Sequence, residues 1–180
     1  PSTRGSADTP LGSQLGNAIY LNELGSALQT IRERSSLDKF DLVGLDACLM
    51  AQLEVFAALE PHARYAVASE ETEPGLGWAY AGFLESLVAN PGMSAADLSR
   101  LIVDSYILED ERIVDDQARA DMMRQGTPMG GLFGFELPSS QQVASQIARD
   151  TTLSAVDLAA VPALVDSVNG LVHFLQGADQ

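Results

Sequence analysis

The chain has 180 residues, 46% hydrophobic, 6% aromatic and 19% charged, a globular rather than a disordered composition. A formal net charge of −15 at pH 7, with no basic stripe to neutralise phosphate, argues against a nucleic-acid partner and permits attraction of basic peptides, although an acidic solvated surface is the commoner reason for such a charge. The apolar runs are short and broken by charge, so no membrane span is read, no signal peptide is visible, and a single cysteine cannot make an internal disulfide.

Residues 1–18 are rich in Gly, Ser, Thr and Pro and read as a flexible arm. Residues 20–34 place Leu21, Leu24, Leu28 and Ile31 at helical spacing. The run "FDLVGLDA", residues 40–47, reads as a buried parallel strand. Residues 49–60 carry helix formers and an apolar stripe through Leu49, Leu53, Phe56 and Ala57, and Pro61 ends that helix. "RYAVASE", residues 64–70, reads as a second strand, and 72–77 as a loop. A helix is expected over 78–89, broken by "NPGM". A further helix opens at Ser94, the expected N-cap, with Asp97 at its third position, and its apolar period continues to about 110. Residues 109–149 are charge-dense, then rich in Gly and Pro, and read as an exposed, partly helical excursion. A third strand is expected within 150–158. A last helix over 162–176 follows, with Pro162 near its first position and Leu164, Val168, Leu171 and Leu175 as its apolar face. The alternation of strands and helices argues an α/β domain with a mostly parallel sheet, its core in residues 19–108 and its last strand and helix in 150–180.

Ligands of such sheets sit beyond the carboxyl ends of the strands. Cys48, the lone cysteine, stands at such an end and, on this reading, opens the following helix, where an anion is favoured. It is either a reactive nucleophile or a packed core residue. Asp46, two residues earlier, disfavours a thiolate by its charge and makes better sense facing a cation on a substrate. Ser69, Glu70, Glu71 and Glu73 follow the carboxyl end of the second strand. They form either a solvated acidic loop, the acidic wall of a substrate pocket, or oxygen ligands for a hard cation such as calcium, though their spacing is not that of an EF-hand. Gly75, Gly77 and Trp78 are candidates for the rim of that pocket, and Trp78 equally for packing.

The blocks "DKFDLVGLDACLMAQLEVFAAL", "YAVASEETEPGLGWAY" and "TTLSAVDLAAVPAL", in this order, resemble the clostripain-like cysteine peptidases, family C11 of clan CD. The likeness runs over about residues 20–108 and 150–165; the segment 109–149 matches no motif. The resemblance implies a caspase-like α/β/α sandwich that this chain carries incompletely. It implies a catalytic cysteine at Cys48 and cleavage after Arg or Lys, with Asp46 holding the basic side chain. Ser69, Glu70, Glu71 and Glu73 would be further substrate-binding residues. Thiol chemistry of this kind requires no cofactor, and calcium is a candidate ion because the family includes calcium-dependent members. The resemblance also implies a zymogen that cuts its own linker, two chains that stay associated, and a bacterial, secreted or cell-envelope location.

One departure matters. The family's catalytic histidine lies upstream of the cysteine, about 50 residues away in clan relatives, and no histidine precedes Cys48. His62 reads as a solvent-facing residue at a helix end, and His173 as a packed residue on an apolar helical face. The base is therefore expected from an upstream segment or a separate polypeptide, and the arm at 1–18 as the remnant of a cut linker. A peptidase-like module that binds basic peptides without cleaving them is the alternative, and a structural α/β domain with a buried cysteine a third.

Overall fold

The computed structural model describes residues 19–73, 77–106, 110–115, 117 and 152–178. The expected arm at 1–18 and most of the 109–149 segment lie outside the described residues. In chain order the elements are α1 (Leu21–Ser35), β1 (Phe40–Gly44), α2 (Leu53–Leu59), β2 (Ala63–Ala68), α3 (Tyr80–Ala89), α4 (Ala95–Ser105), α5 (Glu111–Val114), β3 (Ser154–Asp157) with a 3-10 turn at Leu158–Ala160, and α6 (Val161–Ala178). They form two compact units.

The first unit takes residues up to 40, 53–64 and those from 158 on. Here α2 touches α1, α6 and the 3-10 turn. Val55, Phe56 and Leu59 of α2 are buried, as are Ala63, Leu158 and Val161, which is the stripe that a 3.6-residue period buries on one helical face. Polar ties fix the entry to β2. Arg32 Nη1 donates to the Pro61 carbonyl at 2.7 Å, and Lys39 Nζ donates to the Glu60 carbonyl at 2.6 Å and pairs with its carboxylate at 3.0 Å.

Two readings in this unit are corrected. His62 is 9% exposed rather than solvent-facing, because the chain turns from α2 straight into β2 and carries the ring inward. His173 is exposed rather than packed, along with Leu164, Val168, Leu171, Phe174 and Leu175. The apolar face of α6 was legible in sequence; that it stays uncovered was not. By length and composition alone, Leu158–Gly177 is apolar enough to cross a membrane, in contrast to the short, broken runs read from the sequence.

The second unit takes 41–52 and 65–157. Its sheet has the order β1-β2-β3. β1 runs parallel to β2: Phe40 N–H donates to the His62 carbonyl and Leu45 N–H to the Val67 carbonyl, with one sequence offset for both bonds. β3 pairs antiparallel with β2, Tyr65 opposite Asp157 and Ala68 opposite Ser154. Val67, Trp78, Phe83, Ile102, Tyr106 and Ile113 make the buried cluster, with Leu42, Leu98, Leu101, Val103 and Leu153 packed against it. The expected α/β class is met, with the antiparallel strand added by β3. β1 is half-buried and stands at the edge of the described sheet, so it is not the fully buried strand its apolar run suggested.

Helix α4 starts where expected. Ser94 Oγ accepts the Asp97 N–H at 3.1 Å and donates to the Asp97 carboxylate at 2.7 Å. It ends at Ser105, short of the expected 110, because Tyr106 turns to extended backbone and is buried. The opening of the 109–149 segment is likewise not an exposed excursion: Asp110 and Ile113 are buried, and Ile113 enters the core cluster.

Candidate functional site

After β1 the chain neither stops nor coils. Leu49 takes a left-handed φ of 62°, its N–H donates to the Glu71 carbonyl at 3.1 Å, and the Ala51 N–H donates to the Ser69 carbonyl at 2.9 Å. Residues 49–51 thus run antiparallel to 69–71. Residues 46–48 form the bend, and Cys48 stands in it, exposed. This corrects the expectation that Cys48 opens a helix: α2 begins only at Leu53. The cause is tertiary. The strand-like pairing with 69–71 consumes the backbone groups that a helical turn would have used.

Glu73 reaches the bend from the other side. Its backbone N–H donates to Cys48 Sγ at 3.2 Å, and its carbonyl lies 3.9 Å from the same sulfur, in range of the thiol proton. Asp46 Oδ2 accepts the Trp78 N–H at 3.2 Å and the Tyr80 hydroxyl at 2.9 Å. Trp78 Nε1 donates to Glu73 Oε1 at 3.2 Å. Trp78 is 3% exposed and Gly44 lies under its ring, where an added Cβ would sit 2.8 Å from a ring carbon. The indole is therefore both core and scaffold. Gly77, at φ 67°, brings the backbone against Asp46; a Cβ there would lie 2.8 Å from Oδ2. Gly75 lies outside the described residues.

Of the residues expected from sequence, five meet around this bend: Asp46, Cys48, Glu73, Gly77 and Trp78. Ser69 is buried. Its hydroxyl donates to the Glu71 carbonyl at 3.1 Å and stands 3.4 Å from Thr152 Oγ1. Thr152 Oγ1 in turn accepts the N–H groups of Glu70 and Glu71 at 3.0 and 3.1 Å. Ser69 and Thr152 thus shape the turn, and the side chains of Glu70 and Glu71 are left exposed. Sequence reading missed Thr152 and Tyr80. Their roles come from contacts 82 and 34 residues away along the chain, which no local pattern announces.

Burial pushes the Glu73 carboxyl up to about 7. The Trp78 hydrogen bond opposes the rise; a hydrogen bond with Asp46 and repulsion from its charge add to it. Burial and the Asp46 carboxylate push the Tyr80 phenol up as well. Among the described residues, no group of three or more His, Cys, Asp or Glu side chains converges to hold a metal ion.

The two histidines both belong to the first unit. His62 has its pKa lowered by burial and by the Arg32 and Lys39 charges, which outweigh the opposing Glu60 charge. Its Nδ1 lies 3.4 Å from Arg32 Nη1. A cavity of about 410 Å³, lined by Gln29, Arg32, Glu33, Ser36, Leu37, Pro61 and His62, opens beside it.

No curated protein matches the chain. Among solved structures, a cysteine protease of B. fragilis superposes with a TM-score of 0.52 and 19% identity, over 83% of this chain and 47% of that one. A clostripain from Bacteroides thetaiotaomicron in complex with a peptide inhibitor gives 0.48 and 15%, over 82% and 47%. A secreted C11 cysteine protease from the same species, in complex with an irreversible peptide inhibitor, gives 0.49 and 20%, over 82% and 33%. The B. fragilis likeness shows the fold, an α/β fold of the caspase-like kind, and the chain spans about half the length of that protein. The family model described as the clostripain family, peptidase C11, matches residues 12–119. The bend that carries Asp46 and Cys48 falls inside that match, and the chain belongs to the clostripain family.

Proposed function

We propose that Cys48 is the nucleophile of a cysteine endopeptidase that cleaves after Arg or Lys. The observation that carries this reading is the exposed Cys48 thiol in the bend after β1, in a chain of the clostripain family, with the Asp46 carboxylate in the same bend. An exposed sulfur at a strand end is open to a peptide carbonyl from outside the domain.

The chemistry is acyl transfer. The thiolate sulfur attacks the carbonyl carbon of the scissile bond and forms a tetrahedral adduct. A histidine that has taken the thiol proton returns it to the leaving amine as the C–N bond breaks. Water then attacks the thioester, the same histidine takes a proton from that water, and the freed carboxylate leaves with the thiol restored. The histidine is supplied by an upstream segment or a separate polypeptide. The Cys48 amide and a glycine beside that histidine stabilise the oxyanion. Asp46 pairs with the basic side chain of the substrate, and Arg is favoured over Lys because a guanidinium can bond a carboxylate through two N–H groups. Self-cleavage of a linker between histidine and cysteine, and secretion to the cell envelope or beyond, complete the reading.

The test is alkylation and hydrolysis in the full-length protein. A peptidyl-arginine chloromethyl ketone should label Cys48, and Cys48→Ala should abolish hydrolysis of arginyl amides with the fold intact by circular dichroism. Full activity in that variant overturns the reading. Retained binding of arginyl peptides without any hydrolysis in the unmutated protein would make it a binding module.

A further inference from the structure

Glu73 is the least ordinary side chain of the bend. Its Oε1 accepts the Trp78 indole N–H, but Oε2 is buried and has no hydrogen-bond partner among the described residues. A buried carboxylate oxygen left bare is unfavourable. Trp78 holds both acidic side chains, Asp46 through its backbone N–H and Glu73 through its indole N–H, so the acceptor beside Glu73 is another carboxylate, that of Asp46. Two carboxylates can bond each other only if one of them carries a proton. Asp46 Oδ2 already accepts twice, from the Trp78 N–H and the Tyr80 hydroxyl. Glu73 is the half-buried one and fits the neutral role.

From this geometry we infer that Glu73 and Asp46 hold one proton between them, and that a basic substrate side chain entering beside Asp46 expels it, which makes Glu73 a specificity-determining residue. This rests on the assignment of Asp46 to the basic side chain. The empty pair carries one negative charge, and the occupied pair carries two against the incoming cation. The proton leaves to solvent from Glu73, and no other group changes its protonation. Among the described residues, the titratable groups that face Glu73 are Asp46, Tyr80 and the Cys48 thiol, and none of them is a cation. The carboxyl of the empty site, pushed up to about 7, gives up its proton within the range where enzymes work. A cation that favours the ionised pair must then bind more tightly as pH rises to that value, and no more tightly beyond it.

The probe is agmatine, a guanidine without a carbonyl, which reports on this site apart from the thiol chemistry. In the full-length protein its inhibition constant against arginyl amide hydrolysis should fall about tenfold per pH unit from pH 5.5 towards 7 and then level, as release of one proton requires. In Glu73→Gln, whose amide keeps the bond to Trp78 and can still donate to Asp46, the constant should stay flat over the same range. Calorimetry on the unmutated protein at pH 6, in two buffers of different ionisation enthalpy, should count close to one proton released per agmatine bound. A flat profile in the unmutated protein, a slope that survives Glu73→Gln, a proton count near zero, or no binding of agmatine would each overturn the inference. Hydrolysis that depends on Cys48 but shows any of these results leaves the peptidase reading standing and removes this one. Hydrolysis that survives Cys48→Ala removes the peptidase reading, while the calorimetric count still decides the proton.

Discussion

At the scale of single residues, the bend after β1 concentrates most of what can be tested. The proposed role of Asp46 predicts that Asp46→Asn lowers kcat/KM on arginyl substrates by about 2 kcal/mol, roughly 30-fold, since one partner of a charge pair is lost. Lysyl substrates should lose less, because a point charge forfeits no two-bond geometry. Steady-state kinetics on matched peptides measure both, and an unchanged arginyl rate would move the determinant elsewhere. Gly77 gives a separate handle on the same carboxylate. An added methyl would sit 2.8 Å from Asp46 Oδ2 on backbone at φ 67°. Gly77→Ala should therefore destabilise the second unit by about 1–2 kcal/mol from left-handed strain. It should also raise KM for arginyl amides more than it lowers kcat, as the carboxylate is displaced and the thiol is not. Chemical denaturation and kinetics on one preparation separate the two effects.

Among the elements, α4 and α6 show opposite relations between local pattern and surroundings. Helix α4 starts at the residue its sequence nominates. Ser94→Ala removes the acceptor of the Asp97 N–H and should lower stability by about 1 kcal/mol, read from urea denaturation. A change below about 0.3 kcal/mol would mean that the cap is replaced by water. Helix α6 has as clear a pattern, yet Leu164, Leu171, Phe174 and Leu175 stand in the open, with Phe174 72% exposed. Amphipathic period says which residues share a face. It does not say whether anything covers that face.

For the whole molecule, the chain spans 47% of the B. fragilis protein it superposes on, and neither of its histidines precedes Cys48. The proposed mechanism needs a base beside the sulfur. Residues 1–180 expressed alone should accordingly hydrolyse arginyl amides at less than about a thousandth of the full-length rate, given the 10²–10⁴-fold that general acid–base catalysis typically contributes. β1, at the edge of the described sheet, is where further strands would add. A monomeric and fully active product would overturn the two-segment mechanism and return His62 and His173 to consideration as the base.

The strands, most of the helices, the family and the candidates Cys48 and Asp46 were legible in the sequence because each rests on short-range information. Apolar runs and a period of 3.6 mark elements, Ser94 and Asp97 mark a helix start, and the "DKFDLVGLDACLMAQLEVFAAL" block marks the family by its residue types. The tertiary structure alone decided the rest. It held residues 49–51 out of a helix by pairing them with 69–71, turned His62 inward and left His173 outside, and drew Ile113 into the core. It also set Glu73 against both Cys48 and Asp46, 25 and 27 residues away along the chain. The physical reason is common to all four. Burial, backbone pairing and the contact of two like charges are properties of neighbours in space, and these neighbours are not neighbours in sequence.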